Sequence, residues 1–123
     1  MRFINAMLNE QEVNEQDLNV LKDMMQIIQE RYDKLSMMLD ENAEMVFTHH
    51  LVTLGKRMLA KEFVMIDEAL MVEVSSTAWQ MAQSLMEGIF ESNGCSPQKA
   101  EIFLIATHIQ VYLDKTKGGH TNE

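Results

Sequence analysis

The chain has 123 residues, 46% of them apolar and 24% charged, and a formal net charge of −9, which suits one globular domain and excludes wholesale disorder. That acidic balance argues against a domain that grips nucleic acid through its phosphates, because such affinity comes from clustered Lys and Arg. A single cysteine, Cys95, with no CxxC or Cys/His cluster, excludes an intramolecular disulfide and a structural zinc motif.

In chain order, Phe3, Ile4, Met7 and Leu8 share one side of a short segment, a helical turn expected to cover one end of a bundle. Leu18, Leu21, Met25, Ile28, Tyr32, Leu35 and Leu39 then alternate by three and four residues, which predicts a long amphipathic helix with this seam inward. Asn14 is its expected cap, with Glu15 and Asp17 favoured in the first turn by the helix dipole. A second long helix should begin near Asp40–Asn42 and run to about Lys61 on Ala43, Phe47, Leu51, Leu54 and Met58, slightly weakened by Gly55.

The stretch FVMIDEALMVEV, residues 63–74, fits a short helix or a buried strand by periodicity, and a helix is expected because no partner strand is visible. Ser75 or Ser76 should start the next helix, with Ala78, Ala82, Leu85, Met86, Ile89 and Phe90 inward and Asn93-Gly94 as the stop. Ser96-Pro97 has the residues of a helix start and predicts a last helix to about Lys115. The expectation is an all-α compact bundle of four to five helices: one domain over residues 1–117 and a disordered tail over 118–123 that holds His120.

Twelve methionines fall mostly at helical spacing among Leu, Ile and Val and are expected to fill the core. The N-terminus turns acidic before any apolar stretch suited to a signal peptide, and no run approaches the roughly 20 apolar residues that span a bilayer. A cytoplasmic protein without contact to membrane or nucleic acid is expected.

Two segments hold the residues able to carry chemistry: HHLVTLGKR, residues 49–57, and AEIFLIATHIQ, residues 100–110. In each, a His and a charged residue stand seven positions apart. On an α-helix this step is about 20° short of two full turns, so the pair shares a face about 10 Å apart along the axis. His50 is thereby matched with Arg57, and Glu101 with His108. Taken alone, an isolated His among apolar residues is most often a hydrogen-bonded core or boundary residue.

Together the two segments resemble the PTS regulation domain (PRD), a helical module that controls bacterial antiterminators and activators of sugar operons. That family carries a His followed seven residues later by Arg, matched here by His50 and Arg57. It also carries an acidic residue followed at the seventh place by His and then an apolar residue, matched by Glu101, His108 and Ile109. Where the family usually has an acidic residue before the first His, this chain has His49. Such domains usually occur in pairs beside effector modules, and these 123 residues hold one copy.

The resemblance implies a non-enzymatic switch with no cofactor and no metal. His50 and His108 would be the phosphoacceptors, with Arg57, Glu101 and His49 supporting. The donor would be the histidine-containing phosphocarrier protein of the sugar phosphotransferase system or a transporter subunit of that system, and the readout a change in packing of a homodimer or of a partner. A neutral imidazole is nucleophilic at cytoplasmic pH and needs no metal to accept a phosphoryl group. Arg57 could pair with the phosphoryl group or a partner's carboxylate, while Glu101 would orient His108 or pair with a basic residue.

Three other readings compete. A histidine phosphotransfer domain expects Lys and Gly at the third and fourth positions after its His, where this chain has Thr53 and Leu54 after His50, and Val52 and Thr53 after His49. A metalloenzyme of His49, His50, His108 and nearby carboxylates is disfavoured because the adjacent His49 and His50 point about 100° apart on a helix. A dimerisation or adaptor domain without phosphoryl chemistry remains open.

Overall fold

A computed structural model of the protein describes residues 2–71 and 74–121, with side chains up to residue 116 in the second stretch. The described residues form α1 (Ile4–Asn9), α2 (Glu15–Lys34), α3 (Glu41–Ala60), a 3-10 turn (Glu68–Leu70), α4 (Ser76–Met86), α5 (Ile89–Ser92) and α6 (Lys99–Thr121), and no strand. The chain is therefore an all-α bundle, in which α6 packs on α4 and α3, α2 on α3 and α4, and α1 across α2 and α3.

Helix α2 begins where the sequence predicts. The Asn14 side chain accepts a hydrogen bond from the Asp17 backbone N–H at 2.8 Å, satisfying one of the amides left free at a helix start. Its inward seam contains Leu21, Met25, Ile28 and Tyr32, all buried. The helix closes at Lys34, with Ser36 at a positive φ of 57°, so Leu35 and Leu39 lie beyond it and reach the core from the following turn. Replacing Asn14 by Ala is expected to cost about 1 kcal/mol of stability, and by Gly only a few tenths; denaturant titration of the two variants checks this.

Helix α3 is capped by Asp40, whose carboxylate accepts from the Ala43 N–H at 2.8 Å, and it ends on Lys61 in the left-handed region. Phe47, Leu51, Leu54 and Met58 are buried along its inner face. Gly55 is more than a weak point in this helix. A Cβ there would stand 2.7 Å from Leu21 Cδ2 and 3.3 Å from Met24 Sδ, so the absent side chain is what lets α3 approach α2 so closely.

Three elements depart from expectation. The helix predicted from Ser75 to Asn93 starts on Ser75 but breaks after Met86, where Gly88 takes a φ of 75° and α5 resumes. Ala78, Ala82, Leu85, Met86, Ile89 and Phe90 are all buried as expected, because the break preserves their inward direction. Arg31 of α2 stabilises it by donating from Nη1 to the carbonyls of Leu85 at 3.1 Å and Glu87 at 2.7 Å, groups that a helix end leaves without partners.

Secondly, residues 63–71 form no helix beyond the turn at Glu68–Leu70. Met65 and Leu70 are 93% and 67% exposed, so their apolar spacing faces no core; residues 72 and 73 of the predicted helix lie outside the described residues. Thirdly, α6 starts at Lys99 rather than at Ser96-Pro97 and continues past Lys115 to Thr121, so residues 118–121 of the expected tail are helical; residues 122 and 123 lie outside the described residues. The methionines divide as well. Met24, Met25, Met37, Met58 and Met86 are buried, whereas Met38, Met45 and Met65 are exposed.

Candidate functional site

The site is built by α3 and α6, which pack against each other with opposite chain directions. His50 of α3 meets His108 of α6, their ring centroids 5.0 Å apart and their planes at 51°. Seven residues further along α3 and seven back along α6, Arg57 meets Glu101. The two sequence motifs are thus two rungs between one pair of helices, and the structure brings all four residues onto one interface. Their shared spacing is what allows both rungs to form, because a seven-residue step returns each helix nearly to the same face.

The Arg57–Glu101 rung is an ion pair of two parallel hydrogen bonds, Nε to Oε2 at 2.8 Å and Nη2 to Oε1 at 2.7 Å. The Glu101 side chain has no exposure and that of Arg57 has 22%. A third donor, the Val64 backbone N–H, reaches Oε2 at 3.1 Å. Both carboxylate oxygens are therefore held by fixed donors, as a buried charge requires. Of the two roles expected for Glu101, pairing with a basic residue is the one seen, and its bonds go to Arg57 and Val64 rather than to His108. Arg57 is correspondingly committed to a carboxylate of its own chain.

The histidine rung is backed by an aromatic row. Phe47, 1% exposed, stands 5.7 Å from His108 and 6.1 Å from Tyr32. His50 and His108 are half-buried and His49 is exposed. His108 also lines an open groove with Phe47, Val46, Val111 and Tyr112, so this ring of the rung is accessible from that side. Nε2 of His50 is buried with no hydrogen-bond partner. The His120 side chain, expected to take no part, lies outside the described residues.

Burial disfavours the charged imidazolium at both positions. It pushes His50 down from 6.5 to about 4, helped by His108 and Arg57 and opposed by Glu101, with a further small downward push from His49; burial likewise lowers His108. Both rings are therefore neutral at pH 7. Unfolded histidines titrate near 6.5, so between that value and about 4 the unfolded chain binds more protons than the folded one. Stability is complete above about pH 6.5 and falls as the pH drops through this window. For His50 the shift corresponds to roughly 3 kcal/mol, reduced by solvent screening at a half-buried ring to on the order of 2 kcal/mol. His50→Gln is expected to flatten the acid side of the stability profile between about pH 7 and pH 4 relative to wild type, as measured by denaturant unfolding along the pH series; an unchanged profile would contradict the assignment.

Sequence reasoning did not find Val64, Phe47 or Arg31. A backbone N–H has no sequence signal, and Phe47 is indistinguishable from the other inward residues of α3. Among the described residues, no group of three or more His, Cys, Asp or Glu side chains stands close enough to hold a metal ion, and no helix is long and apolar enough to cross a membrane. A scan against protein-family models, a search of curated proteins and a search of solved structures find no match to this chain.

Proposed function

We propose that this chain is a regulatory domain of the PTS regulation type, switched by phosphorylation of His50 or His108 by a phosphocarrier protein or transporter subunit of the sugar phosphotransferase system. The observation that supports it best is the His50–His108 rung: two neutral, half-buried imidazoles from different helices, 5.0 Å apart, of which His108 lines an open groove. A neutral ring nitrogen is the species that attacks phosphorus, and no metal is required. The phosphoryl group turns a neutral ring into a near-dianion with three acceptor oxygens at a helix–helix contact. That favours one packing of α3 against α6, or of the chain against a second copy or a partner, over another. The domain is then a cytoplasmic switch, homodimeric in its working form, rather than an enzyme.

The test is labelling by the phosphorylated phosphocarrier protein with His50→Ala and His108→Ala variants. Each substitution is expected to remove label from its own position while the helical signal is retained, because half-buried positions contribute little to the core. His50→Asp or His108→Asp should move the dimer equilibrium in the direction that phosphorylation does, to a smaller extent. Label that survives unchanged in the double Ala variant sinks the proposal.

A second reading is favoured by the other rung. Arg57 gives Nε and Nη2 to a buried carboxylate and Nε2 of His50 is buried without a partner, an arrangement equally suited to a helical dimerisation or adaptor protein in which these residues serve packing alone. Failure of labelling at both histidines leaves that reading.

A further inference from the structure

A phosphoryl group accepted by either ring of the histidine rung brings close to two negative charges into a half-buried contact, and something must answer them. The charged and titratable groups that act on His50 are His108, Arg57, Glu101 and His49. Arg57 already gives Nε and Nη2 to Glu101, and moving it would leave a carboxylate with no exposure stripped of its cation. Glu101 itself repels an anion. His49 is exposed and points about 100° away from His50 around α3.

Among the described residues, no cation of another element, the two histidines aside, acts on either ring. On the α1 side Glu44 is taken up by Arg2, whose backbone N–H donates to it at 2.6 Å and whose guanidinium lies 3.4 Å from it. Tyr32 of α2 contacts Phe47. Along the groove, Lys115 faces Asp40 at 3.7 Å, and Tyr112 offers a phenol rather than a cation. The group that stands in ring contact with either acceptor and can compensate the phosphoryl charge is therefore the other ring of the pair, 5.0 Å away.

We propose that His50 and His108 form one site for one phosphoryl group: whichever ring accepts it, the other takes up a proton, donates a hydrogen bond to it, and ceases to be a nucleophile. This rests on the phosphoacceptor reading above and adds its regulation. In the step itself the lone pair of one ring nitrogen forms the N–P bond as the donor's own P–N bond breaks. The electron pair of the broken bond leaves on the donor nitrogen, which takes a proton from solvent; the accepting ring releases the N–H proton of its other nitrogen to solvent, and the second ring draws its proton from solvent. An opposite charge in contact reverses the burial that holds the second ring neutral.

Two consequences follow from the chemistry. The net charge change per switching event is about −1 instead of about −2. The modification also creates a charge-assisted hydrogen bond between α3 and α6, so it clamps these helices together.

The experiment uses the full chain carrying His49→Gln and His120→Gln, so that the pair supplies the remaining histidines, with phosphoramidate as the small-molecule donor. Intact mass at neutral pH should plateau at one added phosphoryl group per chain. In nitrogen-15 NMR of the singly modified protein, the unmodified ring should titrate above 6.5 rather than below it. Two phosphoryl groups per chain, no uptake, or a second ring that stays neutral at pH 7 would each overturn the inference. A plateau of one with phosphoramidate but no transfer from the phosphocarrier protein keeps the shared site and removes the proposed donor, which separates the two claims.

Discussion

Arg57→Ala is expected to lower the unfolding free energy by about 3–5 kcal/mol, the range for removing one member of a buried ion pair. Glu101 would keep the Val64 N–H and lose both guanidinium bonds, leaving a carboxylate with no exposure and no cation. Domains of this size have only about 5–15 kcal/mol in total, so the variant should be at the edge of folding. Electrostatic strain and lost packing are separable. In Arg57→Met with Glu101→Leu both charges are gone, and apolar groups of similar bulk fill the contact, a change that is often close to neutral. The unpaired Val64 N–H then remains as the main penalty, about 1–3 kcal/mol. Guanidinium titration of the two proteins should find the double variant more stable than the single one. A single variant within about 1 kcal/mol of wild type would mean that the pair behaves like a surface ion pair.

Phe47→Ala is expected to have a comparable effect on stability and a specific effect on the site. Truncating a buried Phe costs about 3–5 kcal/mol, and here the ring also loses its contacts with Tyr32 and His108, each worth about 0.5–1.5 kcal/mol beyond area. Phe47→Leu keeps most of the volume and should stay folded, losing under about 1.5 kcal/mol. In it, His108 loses the flat face that shields it on one side. Since burial is what lowers this ring's pKa, its titration followed by NMR should move back toward 6.5. No movement of His108 in a folded Phe47→Leu protein would show that the shielding comes from elsewhere.

Much of this architecture is legible in the sequence wherever spacing and burial report the same thing. Leu21, Met25, Ile28 and Tyr32 predict the inward face of α2, and Asn14, Asp40 and Ser75 mark three helix starts, because cap and periodicity agree at these positions. The errors fall where local and tertiary signals separate. Through Glu87 and Gly88 the inward pattern continues to Ile89 and Phe90, so periodicity alone cannot show a break that Gly permits and Arg31 stabilises from another helix. In residues 63–71 the apolar spacing is real, but Met65 and Leu70 have nothing to pack against.

The candidate site shows the same division. Spacing places His50 with Arg57 and Glu101 with His108 on their own helices. The physical partners run across instead, His50 to His108 and Arg57 to Glu101. Only the relative alignment of α3 and α6 decides between these, and that alignment depends on the whole core, including the close approach at Gly55 on the opposite side of α3.

The proposed switch is tested most directly by phosphopeptide mapping of the wild-type chain after incubation with phosphorylated phosphocarrier protein, under neutral to alkaline conditions that preserve acid-labile phosphohistidine. The account predicts label on peptides containing His50 or His108. Absence of label on both, with a phosphocarrier protein shown to transfer to another acceptor in the same assay, or label confined to His49 or His120, would contradict it.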